Sequence, residues 1–93
     1  MVITDVKIRK IFEEEGPLKA VASVVFDDCL AVHDIKVIEA RDKQFVVMPT
    51  VKMANGTYRD TVHPMTSELR EELTARILDE YVARVAIESA TAK

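Results

Sequence analysis

Hydrophobic and polar residues alternate along the first two thirds of the chain and then recur at intervals of four. Val6 and Ile8 alternate with Lys7 and Arg9, the period of two of a half-buried strand, which predicts a first strand over residues 2–12. Glu13, Glu14, Glu15, Gly16 and Pro17 follow as a charged turn with two strong breakers. A second strand is predicted over residues 18–26. Leu18, Ala20, Ala22, Val24 and Phe26 fall on one of its faces, and Val21 and Val25 on the other. Asp27-Asp28 reads as the next turn. The third run, residues 30–38, is rich in β-branched side chains. The fourth, residues 44–48, is short and stops at Pro49, which suits a strand end or an exposed edge. Asn55-Gly56 is a turn signal, because both residues tolerate positive φ, and residues 58–62 make a fifth strand.

After His63-Pro64 the period changes. Leu69, Leu73, Ile77, Tyr81 and Val85 form a stripe, widened later by Leu78 and Val82, with Glu68, Glu72, Arg76, Asp79 and Glu88 opposite. Thr66 or Ser67 fits the N-cap, and Glu68 lies in the first turn, where the helix dipole favours an anion. A helix over residues 67–88 would be roughly 33 Å long at 1.5 Å per residue. An ordinary strand covers only about 17–20 Å. One end of the helix should then overhang its sheet, and Leu78, Val82 and Val85 would need a second subunit to cover them. Strands followed by one terminal helix give an α+β domain, with antiparallel pairing because the connections are too short for crossovers. The expected organisation is one domain over residues 1–93: a small antiparallel sheet of about five strands in 1–64 and one long amphipathic helix in 65–90.

Composition narrows the class. With 93 residues, 48% of them apolar and 31% charged, the chain fits one globular domain. The formal net charge of −3 opposes nucleic-acid binding unless basic residues gather on one face. A single cysteine, Cys29, cannot form an intrachain disulfide. The chain opens directly in strand-like sequence, with no leader pattern, so cytoplasmic residence is expected.

His33, Asp34 and Cys29 invite a catalytic or metal-binding reading. In a continuous strand His33 and Asp34 would point to opposite faces, and Cys29 and His33 would be about 13 Å apart. That is far beyond the ~3 Å between a nucleophile and its base. Two histidines and one cysteine are also poorly spaced for zinc. Cys29 reads more simply as a small buried apolar residue. No phosphate-binding or dinucleotide-type glycine pattern is present, and the chain has only two glycines. No catalytic residue, metal, cofactor, small-molecule substrate or membrane partner is expected.

Lys7 and Arg9, two apart, should share a strand face, and Lys52 and Arg59 flank the Asn55-Gly56 turn. If that face and that loop meet, they make a positive patch suited to phosphate. Tyr58 could stack on a base. The competing reading is a solvated face with local ion pairs, such as Arg59 with Asp60, and Tyr58 in cross-strand packing.

Four stretches carry a family resemblance. Thr4-Asp5-Val6-Lys7-Ile8-Arg9-Lys10 resembles a T-D-V-[KR]-[IL]-R-[KR] opening, and Val32-His33-Asp34-Ile35-Lys36-Val37-Ile38 a V-H-[DN]-I-[KR]-[VI]-I strand. Phe45-Val46-Val47-Met48-Pro49-Thr50 resembles F-V-x-M-P-S, and Gly56-Thr57-Tyr58-Arg59-Asp60-Thr61-Val62-His63-Pro64 resembles D-G-x-[FY]-R-D-x-x-H-P. In this order and spacing they resemble the sporulation stage V protein G (SpoVG) family. The resemblance implies a homodimer that binds DNA, and in some members RNA, and regulates septation, sporulation and other genes. It also implies a binding role for the basic residues after the M-P-S run. There this chain keeps Lys52 and has Val51 where a second basic residue is common, so a weaker affinity is expected. The leading expectation is a homodimeric nucleic-acid-binding regulator with contacts from Lys7, Arg9, Lys52, Tyr58 and Arg59. A protein–protein adaptor built on the same dimer is the alternative, favoured by the acidic helix face.

Overall fold

The computed structural model describes residues 1–12 and 15–91. Its strands are β1 (Ile3–Ile11), β2 (Leu18–Phe26), β3 (Leu30–Ala40), β4 (Lys43–Val47), β5 (Thr50–Lys52) and β6 (Tyr58–Asp60), and one helix, α1 (Ser67–Thr91), follows. β1 to β4 form an antiparallel sheet in chain order, and β5 and β6 pair as a separate two-stranded ribbon. This is the expected α+β arrangement of an antiparallel sheet and one long C-terminal helix. β6 is the predicted fifth strand. β5 is additional, since three residues after Pro49 are too few to display a period of two. Arg41 and Asp42, both at positive φ, make the tight β3–β4 turn of the type that matches strand twist.

The helix lies on one face of the sheet. Leu73 and Ile77 are buried there, with Leu69, Leu78 and Tyr81 packed around them, so the predicted stripe is the inward one. Val6, Ile8, Ala20, Ala22, Val24, Ile35 and Val37 supply the sheet side of the core. Small Ala20 and Ala22 on the second strand leave room for the larger helix side chains. Thr66 is the N-cap, its Oγ1 accepting from the Leu69 N–H at 3.2 Å. At the far end of the contact, partial burial raises the pKa of Tyr81 above its ordinary 10.0, and the charge of Glu39 adds to that effect.

Bulges break the strand alternation at four places, and each re-aims side chains. Thr4 and Arg9 are the extra residues on β1, and Lys19 is the extra residue on β2. On β3, His33 and Asp34 together face Ser23, with Asp34 at φ 63°. Three expectations change as a result. Lys10 replaces Arg9 as the residue that shares the Lys7 face, since Lys7 pairs with Ser23 and Lys10 with Val21. Leu18 pairs with Ile38 and leaves the face of Ala20 and Ala22. His33 and Asp34 are both exposed instead of lying on opposite faces. Cys29, expected in the core, is exposed in the β2–β3 turn, because Asp27 and Asp28 turn the chain away from the sheet.

Candidate nucleic-acid interface

The ribbon is the most exposed element of the fold. All six ladder residues of β5 and β6 are exposed. Its register pairs Thr50 with Asp60, Val51 with Arg59 and Lys52 with Tyr58. Opposite residues project to the same side and successive ones alternate. Lys52 and Tyr58 therefore share one face of the ribbon, and Arg59 and Val51 share the other. The tip is ordered by its own polar groups. Asn55 Oδ1 accepts from the Thr57 N–H at 3.1 Å and from the Thr57 hydroxyl at 2.6 Å, and Gly56 takes φ 88°, where a Cβ would be strained. At its base the Thr61 N–H and hydroxyl donate to the Pro49 carbonyl at 2.8 and 3.1 Å. The ribbon is thus a closed unit that projects its cations outward.

Lys7 and Arg9 lie elsewhere. Both border a polar cleft between β1 and α1, together with Glu80 and Arg84, and Arg84 pairs with Glu88 at 3.3 Å. The ribbon packs chiefly on itself and has no extensive contact with β1. The five predicted binding residues therefore form two groups: Lys7 with Arg9, and Lys52 with Tyr58 and Arg59. Of the residues expected at a subunit interface, Leu78 is half-buried against the chain's own core, Val85 is half-buried, and Val82 is 57% exposed.

Charge is unevenly distributed. From Ser67 to Glu88 the helix carries six acidic side chains and three arginines, a balance of −3, which equals the formal net charge of the chain. The remainder is therefore balanced overall, and most of its described cations stand on the sheet and the ribbon. Lys10, Lys36 and Lys43, none of them singled out from the sequence, lie on the sheet face away from the helix; Lys36 pairs with Val47, and Lys43 with Ala40. Lys10 Nζ also sits 4.9 Å from the Phe12 ring centroid. Among the described residues no three of His, Cys, Asp or Glu gather as a metal site, and no helix is long and apolar enough to cross a membrane.

The comparison with known proteins bears on this geometry directly. The SpoVG family profile matches residues 1–83, which includes the whole sheet, the ribbon and most of the helix. The chain belongs to the SpoVG family. It is 51% identical over 81 residues to the "Putative septation protein SpoVG" of Acetivibrio thermocellus, covering 87% of this chain and 85% of that one. The protein of the same name from Clostridium perfringens is 49% identical over 81 residues, covering 87% and 89%. That from Agathobacter rectalis is 47% identical over 85 residues, covering 91% and 97%. The names of these relatives link them to septation.

Proposed function

We propose that this SpoVG-family chain is a homodimeric regulator that binds nucleic acid, with the β5–β6 ribbon as the element that enters the groove. The observation that carries this reading is the ribbon itself: two short strands, exposed throughout, with Lys52 and Tyr58 on one face and Arg59 on the other. A two-stranded ribbon is one of the two elements that the major groove of DNA admits. Lysine and arginine on such an element contact phosphates and fix its register, and arginine also reaches base edges. Lys7 and Arg9, in the cleft between β1 and α1, supply a second place for phosphate. Val82, exposed on the helix, supports a partner subunit, which would present two ribbons at once. The acidic outer side of the helix favours a second reading, a protein adaptor that uses the same dimer. The two readings part in one experiment. Fluorescence anisotropy of labelled DNA and RNA, at low and near-physiological salt, should show binding that weakens with salt and is lost in the Lys52→Glu/Arg59→Glu variant. A folded protein that binds neither at low salt would leave the adaptor as the better account.

A further inference from the structure

Among the described residues no element covers the sheet face away from α1, and its register places chemistry there in rows. Ser23 and His33 make one row, and Lys10, Val21, Lys36 and Val47 the next. Leu18, Ile38 and Phe45 follow, and then Ala40 and Lys43. Phe12 extends the Lys10 side, its ring beneath the ammonium. With strands about 4.8 Å apart, Lys10 and Lys36 stand roughly 10 Å from each other, with the half-buried Val21 between them. Lys10, Lys36 and Lys43 are exposed, and Phe45 is 44% exposed. Among the described residues the acids on or beside this face are Asp5, on the row of Val25 and Ala31 at the far end, and Asp34, in the bulge opposite Ser23.

This pattern is unlike a buried protein interface, which is depleted in lysine. It also differs from a face with only solvation to explain, because half-buried aliphatics and an exposed aromatic lie between the cations. Flat apolar rungs with lysines at their margins match what unpaired bases and their phosphates require: a surface for stacking and nearby positive charge. A duplex hides its base faces and would leave Val21, Ile38 and Phe45 without a partner. The charge is complementary as well, since the acidic helix lies on the opposite side of the sheet and does not face this surface.

We infer that the helix-free face of the four-stranded sheet is a binding surface for single-stranded nucleic acid. Phosphates lie on Lys10, Lys36 and Lys43, and bases lie on Phe45, Ile38 and Val21. The inference rests on the nucleic-acid reading above and assigns it a second surface, with a different substrate class from the ribbon.

The test uses the full chain with a fluorescein-labelled single strand of mixed sequence and its blunt duplex, at low salt. Lys10→Glu/Lys36→Glu and, separately, Phe45→Ala should each weaken single-strand binding on the order of tenfold or more, while duplex binding stays within about twofold. The ribbon variant Lys52→Glu/Arg59→Glu should do the reverse. Backbone amide shifts in an NMR titration with the single strand should centre on Val21, Ile38 and Phe45, which locates the surface without any variant. Single-strand binding unchanged in both sheet variants, with no shifts on this face, would overturn the inference and leave the ribbon reading intact. Sheet variants that change the oligomeric state by light scattering but not single-strand affinity would assign the face to a second copy and equally overturn it. Failure of the unaltered protein to bind either probe would remove both readings together.

Discussion

Val51 and Arg59 stand directly across from each other on the β5–β6 ribbon, so a cation at position 51 would join Arg59 on one face. Val51→Lys should therefore strengthen duplex binding at low salt. It should also steepen the dependence of log K on log salt by about 0.9, the release expected for one more phosphate contact. Anisotropy titrations at four salt concentrations would check this. An unchanged slope would mean that the Arg59 face does not touch the backbone.

The helix is held to the sheet through few large side chains, which makes each expensive to truncate. Ile77 is fully buried at the centre of that contact. Ile77→Ala should cost about 2–5 kcal/mol, a large share of the roughly 5–15 kcal/mol available to a small domain. Urea unfolding followed by circular dichroism should show a much lower midpoint or a chain already unfolded in buffer. A midpoint within experimental error of the parent would contradict the packing described.

Tyr81 provides a pH signature. Its pKa is raised in the fold by burial first and by Glu39 second, so the neutral phenol is the form the fold favours. Below about pH 10 both folded and unfolded chains hold that proton, and stability is unaffected. As pH rises past the unfolded value, the unfolded chain loses the proton first, and stability falls until the folded group also ionises. Tyr81→Phe should flatten this decline. Chemical denaturation at pH 9, 10 and 11 would show it, and parallel curves for the two proteins would exclude Tyr81 as the source.

Asp34 sits in the left-handed region in the middle of β3. Aspartate and asparagine tolerate that conformation far better than β-branched residues do. Asp34→Asn should leave the unfolding free energy nearly unchanged, and Asp34→Val should lower it by about 1–3 kcal/mol. Equal effects of the two replacements would show that the backbone conformation at this position is not what selects the residue.

The alternation from Val2 to Phe26 was enough to place β1 and β2, and the four-residue spacing from Leu69 to Val85 placed the helix and its buried side. These signals are strong because burial acts on every second or every third to fourth residue. Bulges are harder to read, since one extra residue reverses the alternation without changing composition. Arg9 and Lys10 show the consequence: the sequence suggested Arg9 beside Lys7, and the register puts Lys10 there. The signal was present as two consecutive cations between Ile8 and Ile11, where strict alternation would have left one of them pointing inward. Asp34 offered a similar hint, as an aspartate interrupting a β-branched run. The ribbon residues Lys52, Tyr58 and Arg59 were placed beside their turn by Asn55-Gly56. Their division between two faces needed the pairing of Val51 with Arg59. Nothing local marks Lys36 and Lys43; only the cross-strand rows bring them into company with Lys10.

The interruptions in β1 reach beyond the aim of single side chains. A strand at the border of a sheet offers its backbone to any passing chain, and long regular borders seed fibres. Here the border strand β1 is broken at Thr4 and again at Arg9. The opposite border, β4, is five residues long and stops just before Met48-Pro49. Neither side presents a long regular template, so the same irregularities that obscure the pattern in the sequence make both open borders poor partners for edge-to-edge pairing.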